Sequence, residues 1–140
     1  MTRRLTWLVI VFVGAVASAC ASGFKMDPPP PSAQRTLPAW LAGTWTGEGY
    51  KVGAGSVPLQ GTITLTFQAD GAWKGTTQSG MSSGTSWLDD DEIILDGTLA
   101  NGAQIRYTLK VRENGDKSPD MLGVLQTQFA TAMVSLKRVR

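Results

Sequence analysis

The sequence predicts an all-β protein that folds as one closed antiparallel barrel of eight strands. Apolar and polar residues alternate with a period of two along several short runs, which is typical of strands with one buried face. Turn signals such as "ADG", "ANG" and "ENGD" separate these runs, and no stretch keeps a helical period beyond one or two turns. Consecutive strands joined by short turns favour an up-and-down barrel, because closure removes exposed sheet edges. A β-sandwich is the alternative, since a sequence does not show whether the first and last strands pair.

Two runs show the alternation most clearly. In "TITLTF" the apolar residues from Ile63 to Phe67 alternate with threonines, and in "QIRYTLKVR" those from Ile105 to Val111 alternate with threonine and basic residues. The outward positions carry no apolar band, which excludes a membrane-spanning barrel. The predicted strands cover 43–52, 58–68, 72–78, 83–88, 92–97, 103–112, 121–128 and 131–139.

The first 19 residues have the pattern of a secretory signal peptide. The chain begins "MTRR", and an unbroken apolar run of 13 residues extends from Trp7 to Ala19. As a helix this run would be about 20 Å long at ~1.5 Å per residue, whereas a bilayer core of ~30 Å needs about 20 residues. We therefore predict a cleaved signal peptide over residues 1–19 and no permanent span there.

The sole cysteine stands immediately after this run, in "VASAC". The sequence "ASAC" resembles the lipobox of bacterial lipoproteins, with Ser18 and Ala19 matching and Ala17 standing where the family usually has leucine. The resemblance implies that Cys20 becomes the N-terminus and carries acyl chains such as palmitate. It also implies the outer membrane, facing the periplasm, because Ala21 is not aspartate. An ordinary signal peptide cut after "ASA" is the alternative, but it would leave an unpaired thiol in an oxidising compartment.

Residues 20–38 are predicted to be a lipidated cysteine followed by a disordered Pro-rich tether. This segment carries five of the seven prolines, four of them consecutive, and shows no apolar periodicity. "PPPP" favours stiff polyproline II, so the tether is expected to act as a spacer between membrane and domain. Residues 39–140 then form the barrel domain, a normal size for one domain.

The start and end of the domain carry a second resemblance. Gly43-Thr44-Trp45, in "LAGTWTGEGY", and the closing "VSLKRVR" are similar to the GxW motif and terminal arginine of lipocalins and related calycin barrels. The resemblance implies that Trp45 plugs one end of the barrel and that Arg138 packs across it. A cation–π contact of that kind is worth ~0.5–2 kcal/mol.

Composition excludes most catalytic chemistry. The chain has no histidine and one cysteine, which removes Ser-His-Asp and Cys-His nucleophiles and most zinc sites. The acidic run "LDDDEI" is predicted to be a solvated hairpin turn, because adjacent strand residues point to opposite sides and do not converge on a cation. We therefore expect no enzymatic activity, no cofactor and no metal.

Charge excludes nucleic acid as a partner. The chain has 13 basic and 11 acidic residues, and two of the arginines lie in the predicted signal peptide. The remainder is balanced, whereas a nucleic-acid-binding domain needs a basic stripe. The expected partners are the membrane, through the acyl chains, and a small ligand or an envelope protein.

The predicted function is a binding module for a small apolar or amphipathic ligand. Candidate ligand contacts are Trp73, Trp87, Tyr50, Phe67 and Leu109, which would either line a cavity or fill the barrel as core. We expect Trp45 and Tyr107 in the core, and Trp73 and Trp87 at the rim beside the polar hairpin "TTQSGMSSGTS". The alternative is a protein-binding assembly factor or inhibitor, since "SGMSSG" resembles a loop of bacterial lipoprotein inhibitors of lysozyme.

Overall fold

The structure is a computed structural model that describes residues 26–31, 37–52, 57–58, 61–113 and 119–139. The predicted signal peptide and Cys20 lie outside the described residues, as does the rest of the predicted linker apart from 26–31 and 37–38. Among the residues that are described, no helix is long and apolar enough to cross a membrane.

Antiparallel pairing between neighbours closes the chain into a barrel. The strands are β1 (Gly43–Lys51), β2 (Val57–Pro58), β3 (Ile63–Phe67), β4 (Ala72–Thr77), β5 (Gly80–Asp89), β6 (Glu92–Leu99), β7 (Gln104–Glu113), β8 (Pro119–Thr127) and β9 (Thr131–Arg138). β3 to β9 follow one another in order, β1 pairs with β3, and β9 returns to pair with β1 from Trp45 to Lys51. The two-residue β2 only extends a hairpin on β1. The predicted eight-stranded up-and-down barrel is confirmed, and the β1–β9 pairing excludes the sandwich.

Two strand boundaries differ from the prediction by more than two residues. The run 58–68 is not one strand, because Gly61 has a φ of +92°, a backbone conformation that glycine adopts at little cost and that ends the extended run. β5 begins at Gly80 and not at 83, because a tight turn with Gly80 at φ +122° returns the chain directly into the sheet. The polar segment 76–86 is therefore mostly strand and does not project as a loop.

The barrel interior is packed with apolar side chains over most of its height. Along each strand the inward residues alternate with outward ones, as the period of two requires. The largest wholly buried side chains of the interior are Trp45, Ile63, Leu65, Trp73, Ile93, Leu95, Ile105, Tyr107, Leu109, Met121 and Leu136.

A pair of glycines makes room for the indole of Trp73. Gly84 on β5 and Gly97 on β6 are direct partners. A Cβ at Gly84 would lie 1.9 Å from the carbonyl oxygen of Asp96, and a Cβ at Gly97 would lie 2.7 Å from the Trp73 ring. The two strands can therefore approach closely and bend over the indole only because both positions lack a side chain.

The N-terminal turn covers one end of the barrel, which we call the closed end. Leu37 and Leu41 are buried in the core, and the Nε1 of Trp45 donates a hydrogen bond of 3.0 Å to the carbonyl oxygen of Leu41. Arg138 lies opposite Trp45 in the β1–β9 register and donates a 2.9 Å hydrogen bond to the carbonyl oxygen of Ala42. Both chain ends of the domain are thus fastened at this end.

Candidate functional site

The opposite, open end of the barrel contains a cavity of about 280 Å³. Its apolar wall comes from inward side chains near the open-end termini of their strands and from the β8–β9 turn: Ile63, Leu99, Ile105, Leu125, Ala130 and Ala132. Polar residues join the lining at Lys51, Thr77, Gln78, Ser79 and Thr127. An apolar recess with a few polar groups is the usual form of a small-molecule site.

The inward residues next to those of the cavity wall close the cavity on the side that faces the barrel interior. The next inward residues below Ile63 on β3 and below Ile105 on β7 are Leu65 and Tyr107, and both are wholly buried. The Tyr107 ring meets Trp73 edge to face, with centroids 5.6 Å apart and planes at 83°. These aromatic rings fill the barrel below the cavity, so the cavity opens only toward one end.

Two threonines hold the turns at the mouth. The Thr77 hydroxyl accepts a 3.1 Å hydrogen bond from the backbone N–H of Ser79, and the Thr127 hydroxyl accepts bonds of 3.2 and 3.1 Å from Phe129 and Ala130. Such local hydroxyl-to-backbone bonds fix short turns. The mouth is therefore preformed on these two sides.

Lys51 is the one charged residue among those described that line the cavity. It continues the inward parity of Trp45, Gly47 and Gly49 along β1, and it lies opposite Ala132 in the register. It is exposed, and it has no ion pair with any described residue. An ammonium at the mouth of an apolar recess suits a ligand with an apolar body and an anionic or polar head.

Two buried hydroxyls lie in the strand rows next to the cavity. Tyr107 is opposite Leu125, Ser82 is opposite Leu99, and neither hydroxyl has a hydrogen-bond partner among the described residues. Burial raises the pKa of the Tyr107 phenol well above its ordinary value, which already lies above physiological pH, so the phenol is neutral. Among the described residues that line the cavity, only Lys51 brings a charge to this end of the interior.

The structure places the three core candidates for ligand contact below the cavity and not in its wall. Phe67, Trp73 and Leu109 are almost wholly buried, and the Nε1 of Trp73 donates a 3.1 Å hydrogen bond to the carbonyl oxygen of Asp96. None of the three lines the cavity. Trp73 accordingly belongs to the filled interior and not to the rim.

The other two candidates lie outside the barrel. Tyr50 is exposed near the open end, where its hydroxyl donates a 3.0 Å hydrogen bond to Glu48. Trp87 is on the outer wall, paired with Ile94, and both are 8% exposed although they face away from the core. The five predicted contacts are therefore not brought together at one site.

The cavity residues missed from the sequence carry a usable signal. Ile63 and Ile105 were assigned to the inward face, and Thr77 to Ser79 belong to the polar segment predicted to border a site. Two properties readable from the sequence identify the cavity residues together: an inward position along a strand and a large distance from the GxW motif. They select the inward residues at the strand ends opposite that motif, including Lys51.

Part of the predicted tether lies along the outer wall. Asp27, Pro28 and Pro30 form a shallow groove of about 420 Å³ with residues of β5, β6 and β7, including Trp87 and Arg106. These contacts help to cover the apolar outer positions on β5 and β6.

An ion pair borders this groove. Arg106 holds Asp96 through two hydrogen bonds of 2.6 and 2.7 Å. The pKa of Arg106 is raised chiefly by the hydrogen bond to Asp96 and more weakly by the charge of Asp27. The negative charge of Asp27 therefore lies near the Arg106 guanidinium.

The acidic run forms a hairpin turn, as predicted. β5 ends at Asp89 and β6 begins at Glu92, with Asp90 at φ +52° in the turn between them. Lys110 pairs with Asp91 at 3.2 Å and with Glu92 at 3.3 Å, on the exposed surface. No group of three or more His, Cys, Asp or Glu residues suited to a metal ion occurs within the described ranges.

Comparison of the chain with protein-family profiles, with curated proteins and with solved structures gave no match. What identifies this protein is therefore its own architecture. It is an eight-stranded antiparallel barrel, covered at one end by the N-terminal turn and open at the other into an apolar cavity with a lysine at its mouth.

Proposed function

We propose that this chain is a bacterial envelope lipoprotein, anchored by acyl chains on Cys20, whose lipocalin-like barrel binds a small ligand without enzymatic chemistry. The observation that carries the binding role is the apolar cavity of about 280 Å³ at the open end. That volume is roughly twice the ~150 Å³ of an engineered apolar cavity that binds benzene. It lies just below the ~300–1,000 Å³ of ordinary ligand sites. A bicyclic molecule or a medium-length acyl chain has the matching size.

The lining defines the chemistry of this ligand. Leu99, Ile105 and Leu125 offer only hydrocarbon, so the inserted part is apolar. Lys51 and Gln78 stand on the polar side of the lining and offer an ammonium and an amide to a polar head. The favoured ligand is therefore amphipathic, with a carboxylate or another anion near Lys51. A medium-chain fatty acid such as decanoate is a suitable probe.

Filling the cavity should abolish this binding. We expect Ala130→Trp to weaken decanoate binding at least tenfold, because the indole occupies the apolar recess while the backbone bonds of Ala130 to Thr127 are retained. The measurement is native mass spectrometry of the mature protein released from detergent, with decanoate added. A one-to-one adduct is expected for the wild-type protein.

The matched control for this variant is Ala100→Trp. Ala100 is exposed in a neighbouring turn at the same end and does not line the cavity. It should bind decanoate as the wild-type protein does. Equal binding by all three proteins would show that the cavity is not the ligand site.

The anchor is tested separately. Growth with labelled palmitate should label the wild-type protein, and Cys20→Ser should lose all of the label, because Cys20 is the only thiol in the chain. Ser18→Ala keeps a small residue before the cysteine and should remain labelled. Absence of palmitate from the wild-type protein would refute the lipoprotein assignment without affecting the cavity.

A further inference from the structure

The open end of the barrel exposes several large apolar side chains. Their exposed fractions run from 42% for Tyr50 to 79% for Phe129. All lie within three residues of the open-end terminus of a strand or in the turn beyond it. We call these residues the apolar rim: Tyr50, Val52, Met81, Phe129 and Met133. Exposed apolar side chains grouped around a cavity mouth mark an interaction surface.

Charge is distributed unequally between the two ends. The connections at the open end, 52–62, 78–79, 100–103 and 128–130, contain no charged residue at all. Each connection between strands at the closed end, 68–71, 90–91 and 114–118, contains at least one aspartate. The connections around the cation at the mouth, Lys51, therefore contain no acidic residue, and the carboxylate of Glu48, three residues earlier on β1, accepts a hydrogen bond from Tyr50.

This combination fits one kind of partner in particular. An apolar surface with a cation and without acidic connections is complementary to a bilayer with anionic headgroups, because the apolar residues enter the interface and the cation meets the lipid charge. Trp40 and Val139 are also exposed, but they lie at the closed end, where charges of both signs surround them: the connections carry aspartates, and Val139 stands between Arg138 and Arg140.

The path of the linker leads from the closed end onto the outer wall. From Leu37 at the closed end, the chain followed backward reaches the groove that Pro30 and Pro28 line together with residues of β5, β6 and β7. It then reaches Asp27, whose charge acts on Arg106, in a strand row closer to the open end.

The remaining chain is long enough to complete that path. The chain from Asp27 to Cys20 takes seven residue-to-residue steps, which span at most about 23 Å at ~3.3 Å each. From Asp96, the partner of Arg106, to the end of β6 is three residues, or about 10 Å. Acyl chains on Cys20 can therefore reach the plane of the rim.

We propose that the apolar rim docks on the bilayer that holds the acyl anchor, so that the cavity opens toward the lipids. The docking rests on the proposed lipidation of Cys20, because the anchor makes rim contact an intramolecular event with an effective concentration near the millimolar range. With the anchor holding the protein at the membrane, the five side chains of the apolar rim are sufficient even if their own affinity for lipid is weak. The ligand then enters the cavity from the membrane and not from the surrounding solution.

The test uses the mature acylated protein with one added cysteine. Phe129→Cys places a thiol on the rim, and Trp40→Cys places one at the closed end, both at exposed positions. Each is labelled with an environment-sensitive fluorophore and reconstituted in vesicles of phosphatidylcholine and phosphatidylglycerol at three to one. Nitroxide-labelled lipids then quench fluorophores that contact the bilayer. We expect quenching at position 129 to exceed that at position 40 at least threefold.

Equal quenching at the two positions, or stronger quenching at position 40, would overturn the proposal. A second result would also overturn the proposal: position 129 is protected from an aqueous quencher in intact cells, but nitroxide-labelled lipids do not quench it in vesicles that contain no other protein. That result would assign the rim to an envelope protein. Failure of the anchor gives a different result. Without acylation, Cys20 keeps a free thiol, so the chain would carry a fluorophore there as well as at the introduced cysteine. It would also fail to float with the vesicles in a density gradient. Decanoate binding is measured in separate samples, so loss of docking and loss of the ligand site remain distinguishable.

Discussion

Trp45→Ala is expected to lower the free energy of unfolding by about 3–5 kcal/mol, the range for removing a large aromatic side chain from a core. Trp45 is wholly buried, and its Nε1 donates a hydrogen bond to the carbonyl oxygen of Leu41 in the turn that covers the closed end. Alanine would leave a cavity and also an unpaired carbonyl beneath that turn. The measurement is urea unfolding followed by far-UV circular dichroism on the mature protein.

The chain offers a matched control five residues earlier. Trp40 belongs to the same covering turn but is 46% exposed, so Trp40→Ala removes much less buried area. We expect it to cost under about 1 kcal/mol, as surface substitutions usually do. Similar losses for the two variants, or a loss well under ~1 kcal/mol for Trp45→Ala, would refute the plug role of Trp45.

Tyr107→Phe is expected to stabilise the protein, and most strongly at alkaline pH. The buried phenol has no hydrogen-bond partner among the described residues, a condition that costs about 1–3 kcal/mol for a buried hydroxyl. Phenylalanine removes the hydroxyl and keeps the edge-to-face contact with Trp73. The variant should therefore unfold at a higher urea concentration even at neutral pH.

The pH dependence follows from the raised pKa of Tyr107, whose cause is burial. Above about pH 10 the phenol ionises in the unfolded chain but stays neutral in the folded one. The unfolded state then binds fewer protons, and stability falls by about 1.4 kcal/mol per pH unit as the pH rises. Urea midpoints between pH 9 and 12 should show this decline in the wild-type protein, and Tyr107→Phe should lack that contribution.

Tyr50 is the other tyrosine of the chain and supplies the control. Its pKa is also raised, by the hydrogen bond to Glu48, but its ring is exposed. Tyr50→Phe should therefore keep most of the alkaline decline, and lysine deprotonation contributes equally to all three proteins. An unchanged slope in Tyr107→Phe would show that the phenol is not held neutral by the fold.

The local pattern of this barrel can be predicted from the order of its residues. Alternation over Ile63 to Phe67 and over Ile105 to Val111 identified strands and their buried faces, because a strand places successive side chains on opposite sides. The aspartates after Leu88 indicated a hairpin turn, since no strand row can gather adjacent carboxylates. These are short-range properties, fixed by neighbours along the chain.

The closure of the barrel and the height of each side chain within it follow from long-range pairing. Pairing between β1 and β9 joins residues almost a hundred positions apart, and no local pattern encodes it. Parity assigns Phe67, Leu109 and Ile105 to the same inward face, but only the shear of the strands shows that the first two fill the barrel and the third lines the cavity. The height of a side chain in a barrel depends on the register of every neighbouring strand.

The outer wall and the rim depend on long-range placement in the same way. The sequence predicts Trp87 at the rim beside the polar hairpin, whereas the structure places it on the outer wall, nearly buried in the groove that the proline segment near Asp27 also lines. The absence of charged residues from the open-end connections becomes visible once the topology shows which connections share that end. A sequence states which residues are apolar or charged, whereas the fold decides which of them meet, because the free energy of packing depends on distances between remote parts of the chain.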